Sequence, residues 1–166
     1  MFSIQTADKN DRFLIHQLAS RIWPHTYGAI LPQEQLNYML EMMYAPENIL
    51  HQMVELHHQY FIFYSGDQPA GYLSIETMEN NSYIFQKIYA LPEMQGTGLG
   101  RYMIEQGISF LKKNHPTPFT ISLYVNRENK AVGFYKHMGF EIIDTRDHHI
   151  GNNYYMNDYI MAMHID

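Results

Sequence analysis

Gln95-Gly96-Thr97-Gly98-Leu99-Gly100-Arg101 decides how this chain is read. It separates a stretch rich in β-branched and aromatic residues, 82–90, from one whose apolar residues recur at helical spacing: Leu99, Met103, Ile104, Ile108 and Leu111. Glycine permits positive φ and lets a ligand approach the main chain with no Cβ in the way. The amides that open a helix have no partner within it and sit at the positive end of its dipole, so the junction is an anion site built from backbone donors. Arg101, in the first turn, could add charge. The same glycines also suit a plain tight turn. Two other nucleotide sites fail on spacing. A phosphate loop needs a Lys-Ser/Thr pair that is absent, and a dinucleotide turn needs G-x-G-x-x-G, whereas from Gly96 the third glycine comes one residue early, at Gly100. Leu91-Pro92-Glu93-Met94-Gln95 also makes the strand-to-helix link too long for that turn.

The flanking sequence alternates between two textures. Residues 2–5 read as a strand, and Ala7 and Asp8 open a helix whose Phe13, Leu14, Leu18 and Ile22 recur at helical spacing until Pro24 is expected to stop it. Pro32 precedes a second helix with Leu36, Met39, Leu40 and Met43 on one face, and Pro46 begins a third that runs to about residue 56. Residues 59–64 and 70–76 pair around a Gly66-Asp67 turn, and Asn80-Asn81 leads into 82–90. Phe119, Ile121, Leu123 and Val125 alternate with Thr120, Ser122 and Tyr124, a period of two. A short helix over 129–138 ends at Gly139, and 140–144 with 155–164 form a closing pair of strands. The order β-α-α-α-β-β-β-α-β-α-β-β implies an α/β (α+β) fold, its sheet mixed and covered by helices on both faces.

Composition narrows the function. The chain has 166 residues, no cysteine, and 17 acidic against 11 basic side chains for a net charge of −6. That length fits one domain over residues 1–166. Without cysteine there is no disulfide scaffold, thiolate nucleophile, Cys-bearing zinc site or Fe–S cluster. No apolar run nears the ~18 residues of a membrane span and the first residues lack a signal-peptide layout, so a soluble, cytoplasmic protein is expected. The acidic balance argues against nucleic acid, whose binding rests on phosphate neutralisation, and suits a cationic small-molecule partner.

Two further blocks accompany the glycine-rich turn. Gln95-x-x-Gly98-x-Gly100 matches the Q/R-x-x-G-x-G/A acetyl-CoA signature of the GCN5-related N-acetyltransferase (GNAT) superfamily. Asn126-Arg127-Glu128-Asn129-Lys130-Ala131-Val132-Gly133-Phe134-Tyr135-Lys136-His137-Met138-Gly139-Phe140 resembles the family's N-x-x-A-x-x-F-Y-x-x-x-G-F block, and Ile88-Tyr89-Ala90-Leu91-Pro92 its strand end before the loop. The resemblance covers residues 60–141 and implies a twisted, V-split mixed sheet with the cofactor's pantetheine arm in the split. It further implies acetyl-CoA held by Gln95, Gly96, Thr97, Gly98, Leu99, Gly100 and Arg101, with the arm alongside Ile88, Tyr89 and Ala90. A backbone N–H near that strand end would polarise the thioester carbonyl. Asn129 would hydrogen-bond the pantetheine, and is equally a good cap for the last helix. Tyr135 is the expected catalytic residue, steadying the leaving thiolate; a phenol is a weaker acid than a thiol, so hydrogen bonding is expected rather than full proton transfer. The plain alternative is a core aromatic beside Phe134.

The base is not legible. By that resemblance, relatives often carry a glutamate where this chain has Gln86, which cannot act as a base, or on the next strand where it has Tyr124. Glu76, His25 and a water chain remain open. Trp23-Pro24-His25-Thr26-Tyr27-Gly28 falls where the family walls its acceptor site, and aromatic residues there with Tyr124, Tyr154 and Tyr155 could cage an amine. Ten histidines include the adjacent pairs His57-His58 and His148-His149, whose side chains diverge, and no H-E-x-x-H run occurs, so surface histidines and no metal are expected. Methionines such as Met39, Met42 and Met43 read as gap-filling core or contact residues. The last strand either closes the sheet or pairs with a second subunit, as dimers are frequent in the family. These readings point to an acetyl-CoA-dependent N-acetyltransferase acting by direct attack of a small-molecule primary amine, a polyamine foremost. The alternatives are an acetyltransferase of protein amino termini or lysines, and a CoA-binding regulatory module.

Overall fold

Phe119, Ile121, Leu123 and Val125 all turn to one side of a strand, β5 (Phe119–Asn126), and all are buried. In the computed structural model, which describes residues 1–166, β5 lies inside a seven-stranded sheet of order β1-β2-β3-β4-β5-β7-β6. The other strands are β1 (Phe2–Thr6), β2 (Gln59–Ser65), β3 (Gln68–Thr77), β4 (Ser82–Ala90), β6 (Glu141–Gly151) and β7 (Tyr154–Ile165). Neighbours are antiparallel except β4 and β5, which run parallel around the crossover helix α4 (Leu99–Asn114). This mixed α/β fold is the one the sequence implies.

Helix α4 and the short α5 (Ala131–Met138) cover one face, over a core that includes Phe61, Phe63, Leu73, Phe85, Met103 and Phe140. Helices α1 (Arg12–Tyr27), α2 (Gln33–Tyr44) and α3 (Pro46–Val54) cover the other, with Ile15, Trp23, Leu36, Tyr44, Tyr60 and Tyr72 between. The second layer is rich in tyrosine, so it is a core with hydroxyls to satisfy. Tyr72 donates to Tyr44 at 2.8 Å, and the Trp23 indole donates to the same Tyr44 oxygen at 3.2 Å.

Three expectations need correction. Pro24 does not end α1, which continues to Tyr27: so near the C-terminus the proline removes one hydrogen bond, while the extra turn buries Trp23 and Tyr27. Phe13 is exposed and stacks under Arg12 at 4.5 Å; the apolar stripe starts at Ile15 instead. The closing hairpin is longer than residues 140–144 and 155–164, because β6 and β7 stay paired up to a turn at Asn152-Asn153, both at positive φ. Strand β7 is hydrogen-bonded on both edges, to β5 and to β6, so it closes the sheet and offers no edge to a second subunit.

Two irregularities of β4 shape the site. Ser74 pairs with Lys87 but Ile75 pairs with Phe85, so Gln86 is an extra residue, a β-bulge. Pairing with β5 stops at Phe85–Leu123, after which β4 and β5 part into a V. From Gln86 onward one edge of β4 has no partner strand.

Helix α4 sits close against the sheet because Gly107 lies over Phe85 and Leu73, where an added Cβ would come within 2.8 Å of the Phe85 ring. Gly107→Val is therefore expected to lower stability by about 1–3 kcal/mol through overpacking. Urea denaturation measures it, and an unchanged midpoint would refute the close approach.

Candidate active site

The glycine-rich turn behaves as a set of donors. Gly96 and Gly98 have φ of 77° and 90°, and a Cβ on either would project into open space. The amides of Gly96, Gly98, Gly100 and Arg101 have no acceptor within the protein, whereas Thr97 N–H donates to Met94 O and Tyr102 N–H to Gly98 O. Leu99 N–H has only a long contact, 3.4 Å, to Thr97 Oγ1. Gly100 serves packing as well, since a Cβ there would meet the Phe134 ring at 3.1 Å and push α5 from α4. Gln95 is exposed. Arg101 faces outward and lies 3.6 Å from Glu105, so much of its charge is spoken for.

At the mouth of the V three tyrosines gather. The Tyr27 and Tyr89 hydroxyls are 2.8 Å apart. Burial pushes Tyr27 up to about 12 and holds Tyr89 and Tyr135 well above the ordinary phenol range. Tyr135 is 7% exposed, wedged between Phe134 and Phe140. So raised, it stays protonated and keeps a hydrogen to donate. Asn129 Oδ1 accepts the Ala131 N–H at 2.9 Å from one residue ahead of Lys130, which holds the N-cap of α5 in place of the expected Asn129, and its side chain also approaches Tyr27.

Between the V and helices α1 and α2 opens a cleft of about 610 Å³, lined among others by Trp23, Tyr27, Glu76, Lys87, Tyr124 and Asp158. The β6–β7 hairpin walls one side. It is pinned on α2 by Gln35 Nε2 donating to Tyr155 O at 2.9 Å and by the Tyr38 hydroxyl donating to Ile150 O at 2.8 Å. Because of the bulge, Gln86 and Lys87 both face the cleft. Gln86 Nε2 donates to Glu76 Oε1 at 2.7 Å, and His58 Nε2 lies 3.5 Å from Glu76 Oε2. Opposite, buried Asp158 pairs with Arg146 at 3.1 Å, and that guanidinium lies 3.6 Å over the Tyr124 ring. Burial raises Asp158 above the usual carboxylate range.

Lys87 is the residue that sequence reasoning missed. It is buried, its Nζ donates to Gln52 Oε1 at 2.7 Å, and burial lowers it to about 7. The visible signal was a lone charge within an otherwise apolar and aromatic central strand. Asp158 and His58 were missed too; His58 is no surface histidine, its side chain being 8% exposed and lowered in pKa chiefly by burial. Of the aromatic residues expected to cage an amine, Trp23, Tyr27 and Tyr124 line the cleft, together with Tyr89. Tyr154 packs on Tyr38 and Tyr155 on His149, outside it. His25 is exposed and does not line the cleft, which removes it as a base.

A family model described as an acetyltransferase (GNAT) domain matches residues 30–153, well over half of the chain, and the protein belongs to that family of N-acetyltransferases. It is similar to a spermidine N(1)-acetyltransferase of Thermoplasma acidophilum, 23% identical over 134 residues that cover 78% of this chain and 81% of the relative. In fold it matches the PaiA N-acetyltransferase of that organism, solved in complex with coenzyme A, with a TM-score of 0.81 at 20% identity and 99% of each chain covered. The ribosomal-protein-S18-alanine N-acetyltransferase of Escherichia coli superposes with a TM-score of 0.74 at 19% identity, over 100% of this chain and 95% of that one.

The buried titratable groups give stability a definite pH dependence. Lys87 is depressed to about 7 in the fold. The unfolded chain therefore binds the extra proton between about 7 and the ordinary lysine value of ~10.4, and stability rises with pH across that window. Above ~10 the sign reverses, because unfolded tyrosines ionise while Tyr27, Tyr44, Tyr72 and Tyr89 are held protonated. Denaturant midpoints at intervals from pH 6 to 11 should rise and then fall, and Lys87→Met should flatten the rising limb. A flat profile in the wild type would contradict the burial of Lys87.

Proposed function

We propose that this protein transfers the acetyl group of acetyl-CoA to a primary amine of a small molecule, a polyamine foremost, with residues 1–166 acting as one catalytic domain. The observation that carries the reading is the parted β4–β5 pair, with an unpartnered strand edge leading to a cradle of free amides on one side and a tyrosine-lined cleft on the other. The amides of Gly96, Gly98, Gly100 and Arg101 would grip the pyrophosphate, and the open β4 edge at Ile88, Tyr89 and Ala90 would hold the pantetheine as an added strand. Asn129 would donate its side-chain amide to that arm while its oxygen accepts the Ala131 N–H.

The thioester supplies an activated acyl group that the amine attacks directly. A β4 backbone N–H at the opening of the V would stabilise the charge that develops on the carbonyl oxygen. Tyr135 would donate its hydroxyl to the departing sulfur. On the acceptor side, the faces of Trp23, Tyr27, Tyr89 and Tyr124 favour a cation, and Glu76 supplies a carboxylate that Gln86 holds in place.

Thiol release from acetyl-CoA, followed across polyamines, amino acids, aminoglycosides and peptides, tests this. Turnover is expected with polyamines; activity confined to peptides, or CoA binding without turnover on any acceptor, would overturn it. Tyr135→Phe should lower kcat about 10-fold or more with CoA affinity unchanged. Gly98→Val should weaken CoA binding about 10-fold or more, since a β-branched residue resists positive φ and its side chain would enter the cradle. Calorimetry separates the two effects.

A further inference from the structure

An alkylamine acceptor is protonated at neutral pH, so a group in the cleft has to take a proton before the amine can attack. We propose that Lys87 is that group: its side chain lines the cleft beside the β4 bulge, and its amine accepts the proton of the incoming ammonium. The inference rests on the acetyl-transfer reading and assigns its base.

The geometry singles out Lys87 among the groups present. Gln86 also lines the cleft, but an amide accepts no proton. Glu76 has one carboxylate oxygen on Gln86 and the other facing His58, which suits it to attract an ammonium. Lys87 is tethered by one bond only, to Gln52 Oε1. That oxygen also accepts the Tyr60 hydroxyl, and Gln52 Nε2 is fixed on Met43 O at 2.9 Å, so the tether cannot swing. No carboxylate pairs with Lys87 within salt-bridge distance. The groups facing it are Tyr44 from α2, Gln52 from α3, His58 ahead of β2, Tyr60 from β2, and Ser74 with Glu76 from β3. Ser74, its cross-strand partner, is buried with a hydroxyl that has no hydrogen-bond partner. A lysine so placed, without a counter-ion, is held near neutrality, where a base is most effective at physiological pH.

The step balances. The ammonium gives one proton to the Lys87 lone pair, and the freed pair on its nitrogen forms the C–N bond as the C–S bond breaks, sulfur leaving with the bonding electrons. The acylated nitrogen loses its second proton to the thiolate beside Tyr135, and Lys87 returns the first to solvent. One ammonium and one thioester give one amide, one thiol and one proton.

The test compares wild type, Lys87→Arg and Lys87→Met in initial rates with spermidine from pH 6 to 10. Arginine keeps the charge but does not release its proton at these pH values, and methionine keeps the volume without the amine. Wild-type kcat/KM should fall about tenfold per pH unit below about 7. Both variants should lose about 100-fold at pH 7.5, bind coenzyme A as before, and show no break near 7. Lys87→Arg working within about threefold of wild type would overturn the assignment. So would side-chain 15N spectra of the wild type in which every lysine titrates at its ordinary value; all the others are exposed, so a lone low titration belongs to Lys87. A wild type inert towards every amine would instead bring down the functional reading itself.

Discussion

Everything in this molecule that can do chemistry depends on two neighbouring parallel strands parting company. Strands β4 and β5 are hydrogen-bonded over Ser82–Phe85 and Thr120–Leu123 and then diverge. An inner strand with an open edge is costly in a folded protein, because unpaired backbone groups away from water lose their hydrogen bonds. A ligand that lies along that edge restores them. The bulge at Gln86 begins the divergence, and β7 holds β5 to the far side by pairing along its whole length, from Phe119–Ile165 to Asn126–Asp158. The site is thus a defect in the sheet that the rest of the fold keeps open.

The same economy governs charge. The protein carries a net charge of −6, and the free donors at its glycine-rich turn are main-chain amides at a helix start, while Arg101 beside them faces Glu105. The acceptor side is built the opposite way. It is a tyrosine-rich layer in which hydroxyls satisfy one another, with a buried lysine and a buried carboxylic acid both at the cleft: Lys87 on β4 and Asp158 on β7. Burial works in opposite senses on them, lowering the lysine and raising the carboxylic acid, so both are driven towards their neutral forms.

How much of this was legible in the sequence depended on range. The order of elements was readable because each is announced locally, by helical spacing in α4, alternation in β5 and turn residues at Gly66 and Gly139. The conformation of the glycine-rich turn was readable for the same reason, since Gly96 and Gly98 mark positive φ within one turn. Pro24 misled because the tertiary burial of Trp23 and Tyr27 outweighs one missing hydrogen bond. Lys87 was illegible because its placement depends on register: a one-residue bulge decides which side chains of β4 face the cleft, and it shows only when the partner strand is in place. Gln86 was correctly seen as unable to serve as a base, but its task of holding Glu76 required the neighbouring strand.

The most direct measurement of the central claim is the amide spectrum of the 15N-labelled protein titrated with coenzyme A. The account predicts that the resonances of Gly96, Gly98, Gly100 and Arg101 move downfield as donors become bonded, together with those of residues 88–90, and saturate along one binding curve. Unmoved resonances at the glycine-rich turn, with or without binding elsewhere, would contradict it.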